Sequence, residues 1–355
     1  EQLFYKLFTL SKRFTPDITD DHRAILRFLE GHTLATEIAG KWLIKYHTKK
    51  TPADYLAMLQ SSEANLFEAL DMSESDIDRN DKLERSLTLS YTTLANDADR
   101  ARFRALGVFA PNVAYGQTAL DALWGISDGF MQATNLNEVG LLDYDPATQR
   151  YSQHPLLRAY ARKLLTDAGE YTAVFPIYAD FYTARAKEIF QDLEDKPELW
   201  GDQEGGVNAD DIANIKALGG ELLRQTQDGA GGDLARAVEF AVMTRRYVQL
   251  RMEAQAWAWL EMGLRAVQTL RQADSADETL MGRESLLLGA LGWVYQALGQ
   301  MDKALTYYEQ ALPLDRAVGD TGGEATTLNN IGLVYADLGE KHKALDYYEE
   351  ALPLL

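Results

Sequence analysis

GWVYQALGQMDKALTYYEQALPL begins at Gly292, and GLVYADLGEKHKALDYYEEALPL begins at Gly332, 40 residues later. Self-similarity at a fixed period marks stacked supersecondary units. Gly292/Gly332, Tyr295/Tyr335, Gly299/Gly339, Ala304/Ala344, Tyr308/Tyr348 and Ala311/Ala351 correspond. Small residues recur where two helices must approach closely, and aromatic rings fill the holes between them. Gly299 and Gly339 fall at the turn, where a left-handed backbone costs glycine least. Each copy therefore reads as a helix–turn–helix unit, with AVGDTGGEA (317–325) expected as the linker to the next. ARAVEFAVMTRRYVQLRMEAQAWAWLEMGLRAV, within 234–270, has the same two-helix length but lacks the glycine turn, and reads as a degenerate earlier copy.

The pattern closely resembles the tetratricopeptide repeat. Such pairs bury their apolar faces only by stacking, and the stack leaves a concave groove. Helical spacing places Asn329, Leu333, Ala336 and Asp337 on that groove, with Gly289, Trp293, Gln296 and Ala297 as their counterparts one repeat earlier. Protein or peptide recognition is the expected role of the groove. The last residues, ALPLL, stop within a repeat, so an apolar flank is expected to be uncapped and to favour self-association.

Composition bounds the rest. The chain has 355 residues, 46% of them hydrophobic, no cysteine, and 35 basic against 54 acidic side chains, a net charge of −19. That length predicts two or three domains. Absence of cysteine removes disulfides, thiolate metal sites and cysteine nucleophiles, and fits a reducing cytosol. The acidic balance argues against nucleic-acid or anionic-lipid surfaces, which need a positive field. SLLLGALGWVYQALGQM (285–301) carries no charge, but its counterpart TTLNNIGLVYADLG holds Asn329, Asn330 and Asp337, so the run reads as a buried helix rather than a membrane span. The sequence opens at Glu1 without a basic leader or a signal-type apolar core, and is expected to be a piece of a longer protein.

Residues 79–168 change character. LERSLTLSYTTL reads as an amphipathic helix with Leu83, Leu87 and Leu94 on one face, and DADRARFRALGVFA as a second helix ending before Pro111. GQTALDALWG and SDGFMQATNLNEVG follow as short helices. LLDYDPATQRYSQH alternates about an Asp-Pro turn, a hairpin signature. HPLLRAYARKLL closes as a helix with Pro155 near its start. Helices followed by a two-stranded wing describe a winged helix. DNA binding is not expected of it, because no Lys or Arg occurs between Arg104 and Arg150, and the would-be recognition helix offers Asp128 and Glu138.

The order of elements resembles the C-terminal part of the nucleotide-binding module of bacterial NB-ARC/STAND ATPases, in which a helical subdomain, a winged helix and a repeat sensor follow a P-loop domain. RAILRFLEGHTLATEIAG (23–40) resembles the end of the helical subdomain, whose motif reads Gly-x-Pro-Leu-Ala. LERSLTLSYTTLANDADRARFRALGVFA resembles the opening of the winged helix, and YSQHPLLRAYARKLL its end. YADFYTARAKEIF and DDIANIKAL resemble the helical linker before the repeats. The resemblance implies a mainly α chain: a helical ARC-like subdomain over 1–78, a winged-helix domain over 79–168 with a small hairpin, a helical linker over 169–232, and a tetratricopeptide α-solenoid over 233–355, its first repeat degenerate and its last truncated. It implies further that His154 reaches the phosphate of a buried ADP, and that Thr33 stands where a proline usually lines the adenine. Pro155 replaces the acidic residue that follows the histidine in the family.

No G-x-x-x-x-G-K-[ST] occurs; Gly40-Lys41-Trp42 is the only Gly-Lys pair. The expectation is that ADP or ATP with Mg²⁺ belongs to the full-length protein, that this fragment neither holds a cofactor nor hydrolyses ATP, and that its partners are an upstream P-loop domain and a groove ligand. Gly125-Ile126-Ser127-Asp128-Gly129 matches a nucleophile elbow, with Asp143, Asp145 and His154 in hydrolase order, but no strand precedes the serine and the spacing is too short. His22, His32, His47 and His342 form no metal-ligand spacing and read as surface or capping residues. A cytoplasmic regulatory and sensor fragment of a STAND switch is the leading expectation. Its alternatives are a winged-helix transcription regulator with a repeat effector domain and a repeat scaffold without nucleotide.

Overall fold

The computed structural model describes residues 18–29, 32–61, 74–195, 208–227 and 233–355. Among these the chain is mainly α-helical, with a single two-stranded antiparallel sheet. Packing groups it into two units, Glu1–Tyr178 and Ala179–Leu355.

In the first unit, α1 (Asp20–Phe28), α2 (Thr33–Tyr46) and α3 (Pro52–Ser61) precede the longer α4 (Glu74–Thr92), which runs through the expected junction at 78/79. Thr19 and His22 form a capping box at the head of α1, and Thr51 exchanges hydrogen bonds with Asp54 at the head of α3. Trp42 of α2 is buried, its ring 4.7 Å from that of Tyr55, and its indole N–H donates to Thr93. Leu83 and Leu87 of α4 are fully buried; Leu94 is buried too, but from the loop beyond the helix. Asn96 caps α5 (Asp97–Ala105), and a 3₁₀ turn at Leu106–Val108 follows. A Cβ on Gly107 would lie 2.4 Å from the Arg162 amide, so only glycine lets this turn sit against α8 (Pro155–Asp167). Between them come α6 (Gln117–Trp124), α7 (Phe130–Glu138) and the hairpin of β1 (Asp143–Asp145) and β2 (Arg150–Ser152), at the positions the sequence pattern indicates. The segment Gly125–Gly129 is the turn from α6 to α7, with Gly125 left-handed at φ +66°; a helix precedes Ser127, so no nucleophile elbow exists.

In the second unit the helices pair in sequence: α10 (Ala209–Gln227), α11 (Leu234–Arg251), α12 (Ala254–Ala273), α13 (Glu278–Ala297), α14 (Met301–Val318), α15 (Thr321–Asp337) and α16 (Lys341–Ala351). The helix α9 (Tyr171–Asp195) enters this unit at Ala179, and Arg185 ties it to α10 through Asp211 at 2.9 Å and Asn208 at 2.8 Å. Glycines set the closest approaches: a Cβ at Gly219 would lie 2.4 Å from Trp259, and one at Gly292 or Gly332 would lie 2.6 Å from Tyr308 or Tyr348.

The turns separate expectation from outcome. Gly299 and Gly339 adopt φ +73° and +80°, as the repeat requires. Between α11 and α12, Met252 is left-handed at φ +52°. AVGDTGGEA is not a linker. α14 runs to Val318, Gly319 caps it at φ +70°, and Asp320 caps α15, accepting from Gly323 N at 2.9 Å. An aspartate cap and a left-handed glycine close the connection in two residues despite the glycine pair. The 40-residue period comes from long helices.

Candidate functional site

Two places carry the residues singled out by sequence. The first is the end of the hairpin. Asp143, Tyr144 and Asp145 pair with Ser152, Tyr151 and Arg150, and Tyr151 exchanges both backbone hydrogen bonds with Tyr115, at 2.8 and 2.9 Å. This bridge adds a third, one-residue strand that no alternation in the sequence announces. Gln153 is buried and donates to the Leu141 carbonyl at 3.2 Å. With Tyr151 and Gln153 held, His154 emerges exposed as the N-cap of α8. Its Nδ1 accepts from Leu156 N at 3.3 Å. An imidazole accepting at Nδ1 carries its proton on Nε2, so the outer nitrogen is a donor. Capping and outward donation are compatible in one ring.

Thr33 opens α2 and is exposed, beside His32, whose ring caps the helix by accepting from Ala35 N at 3.4 Å. Among the described residues no hydrogen bond or ion pair joins Thr33 to His154. Gly31 of the same motif lies outside the described residues. α2 is tied to the hairpin region by Lys41–Asp143 at 2.7 Å and Lys45–Glu138 at 3.4 Å. Lys41 is thus an ion-pair residue on a helix and no phosphate-loop lysine.

The second place is the concave face of the repeats, where a cavity of about 430 Å³ opens between α11, α13 and α15. Trp293 lines it with Leu286 and Gly289 from α13, and α15 contributes Thr326 and Asn330. Asn329 and Leu333 are exposed on α15 but lie outside this lining, one helical step away. Gln296 and Asp337 meet further along, the amide donating to the carboxylate at 3.4 Å, while Tyr308 donates to Gln296 at 3.2 Å. Burial pushes the Tyr308 hydroxyl well above its ordinary pKa. Asp315 is buried at the cavity, where the hydroxyls of Ser285 and Thr327 donate to it. Burial raises its pKa, and the nearby carboxylates of Asp320 and Glu324 add to the rise.

Sequence reading missed Arg245, Arg246 and Gln249, which line the cavity from α11. A second cavity of about 320 Å³ shares Arg245, Arg246 and Leu286 and extends to Lys187 and Phe190 of α9. The only signal in sequence was the Arg-Arg pair itself, which is meaningless until α9, α11 and α13 are side by side. Among the described residues no cluster of His, Asp or Glu could hold a metal ion, and no helix is long and apolar enough to cross a membrane.

Comparison with known proteins locates one family. The tetratricopeptide repeat profile matches residues 283–355. No curated protein matches the chain significantly. Among solved structures the chain is similar to a Signal Transduction ATPase with Numerous Domains (STAND) protein with a tetratricopeptide repeat sensor from Pyrococcus horikoshii, at 14% identity and a TM-score of 0.29. That likeness covers 99% of this chain and 59% of the other, so the chain spans under two thirds of the length of the protein it matches. Helices α13 to α16 are a tetratricopeptide repeat array.

Proposed function

We propose that this chain is the regulatory and sensing portion of a STAND-class nucleotide switch. In this reading residues 79–168, from the later part of α4 through α5, the Tyr115 bridge, α6, α7 and the hairpin to α8, form a winged-helix domain, since they follow one another in that fold's order. α1 to α3 form the helical subdomain that precedes it. The observation that carries the reading is His154: exposed, fixed at the end of the hairpin, with Nδ1 engaged by its own helix and Nε2 left as donor. Such a donor suits a diphosphate oxygen. Thr33 is assigned to the adenine side of the same nucleotide. The sequence holds no phosphate loop, so ATP hydrolysis and Mg²⁺ binding fall to a separate P-loop domain, and this chain alone turns over no ATP.

The tetratricopeptide repeats take a protein or peptide partner. A partner opens the switch only as far as it binds the open state more tightly than the closed one. Absence of cysteine supports a cytoplasmic setting. Mass spectrometry of nucleotide released from the denatured full-length protein tests the proposal. ADP is expected from the wild type, with a loss of about tenfold or more in His154→Ala, the scale of one charge-assisted hydrogen bond. A wild-type protein that never carries ADP would falsify the switch and leave the repeat scaffold.

A further inference from the structure

Residues 105–149 supply α6, α7 and the first strand of the hairpin, and they include five acidic side chains but no Lys, Arg or His. Two of the five are matched from α2, where Lys41 pairs with Asp143 at 2.7 Å and Lys45 with Glu138 at 3.4 Å. Asp121, Asp128 and Asp145 instead accept from backbone amides, those of Gly129 at 2.9 Å, Phe130 at 3.2 Å and Ala147 at 2.9 Å, and have no ion pair among the described residues. Beside two of these carboxylates α7 opens with Phe130 and Met131, 50% and 64% exposed. Single exposed apolar side chains are ordinary, but aromatic rings and methionine standing together are what protein interfaces favour.

The turn that carries them is tightly built. A Cβ on Gly129 would lie 2.8 Å from the Asp121 carboxylate and 3.0 Å from the Trp124 ring, so α7 starts hard against the end of α6. A chain of contacts then joins the turn to the hairpin. The Gln117 amide donates to Asp121 at 2.6 Å, the Tyr151 hydroxyl donates to Gln117 at 2.7 Å, and the half-exposed Tyr144 ring lies 4.9 Å from that of Tyr151. Burial, then Tyr144, then Asp121 and Asp128 push the Tyr151 hydroxyl above its ordinary pKa, so both carboxylates stand near the hairpin. Side chains fixed in this way lose little freedom when something docks on them. Charge chooses the occupant. Nucleic acid and anionic lipid would bring negative charge to unpaired carboxylates. A second copy of this face would set the same carboxylates against one another.

We propose that the start of α7 is a protein-docking surface, with Phe130 and Met131 entering an apolar pocket on a partner whose Lys or Arg side chains meet Asp121 and Asp128. Neither His154 nor the repeat groove takes part, so loss of this surface leaves both untouched.

Fluorescence anisotropy on the intact chain tests this with three labelled probes: a helical peptide with leucines on one face and lysines flanking them, the same peptide with glutamates for the lysines, and the lysine peptide with serines for the leucines. The lysine–leucine peptide is expected to bind about tenfold or more tighter than either of the others at low salt, its margin over the glutamate peptide shrinking as salt rises. Phe130→Ser with Met131→Ser, checked for unaltered melting, should remove the margin over the serine peptide. Leu352→Ser, at a leucine 71% exposed in the repeats, should leave that margin intact. Asp128→Asn, which keeps an acceptor for the Phe130 amide, should weaken the lysine–leucine peptide about two- to fivefold. Binding unaltered by the Phe130 and Met131 changes overturns the proposal, as does a glutamate peptide that binds as tightly as the lysine–leucine one, or no binding by any probe. Retention of the chain on vesicles of phosphatidylcholine with phosphatidylglycerol, lost with those two changes, replaces the partner protein with a membrane. A sedimenting dimer lost with them replaces it with a second copy.

Discussion

Gly292 and Gly332 lie under the rings of Tyr308 and Tyr348 with room for a hydrogen and nothing more. Gly292→Ala forces a Cβ to 2.6 Å from Tyr308, which is fully buried and donates to Gln296, so the ring cannot swing aside. Thermal unfolding is expected to show a loss of about 1–3 kcal/mol. Gly332→Ala should cost less, because Tyr348 is only half-buried. These pairs were legible in the sequence because each is written twice, a glycine and a tyrosine at matched places in two copies. Asp315 was not legible, since Ser285, Thr327 and the helix between them converge only once three helices stack. A carboxyl whose folded pKa is raised favours the fold below its unfolded value, ~3.9, and that contribution is lost as pH rises through the folded value. The wild type should therefore lose stability relative to Asp315→Asn between pH 4 and pH 7. Parallel pH profiles of the two proteins in chemical denaturation would show that burial does not penalise this charge.

At the scale of elements, the α11–α12 turn shows how a helical pair turns without a glycine. Met252 adopts φ +52°, a conformation that costs a side chain about 1–2 kcal/mol, partly offset against glycine's greater freedom in the unfolded chain. Met252→Gly should stabilise the second unit by about 0.5 kcal/mol, read as a raised unfolding midpoint, and a lowered midpoint would mean that methionine packing outweighs the strain. The sequence pattern suggests a repeat here without its glycine, and in the structure a methionine stands at the left-handed turn. The opposite error occurred at Gly322-Gly323, where two glycines imitate a loop. Asp320 caps the helix, and the cap itself demands glycine, since a Cβ on Gly323 would lie 2.6 Å from the Asp320 carboxylate. The hairpin was read from its alternation. Its partner Tyr115 was not, because a one-residue bridge leaves no period to detect.

For the whole molecule the charge excess is the dominant long-range force. With net charge −19, self-repulsion opposes compactness, so raising NaCl from about 20 to about 200 mM should raise the melting temperature. Duplex DNA should show no salt-dependent binding in a mobility-shift titration, since α7 exposes Phe130 and Met131 where a reader would place cations. Fold class and repeat register were thus open to reading from local pattern, while the part of the groove lining that α11 supplies needed tertiary adjacency. The two-residue join at Gly319 and Asp320 has a mechanical corollary. A strap with no spare length cannot pay out, so a guest too thick for the channel has to shear α14 against α15. The array should answer such a load as a stiff spring, storing the strain in its tyrosine–glycine contacts and passing it to neighbouring repeats.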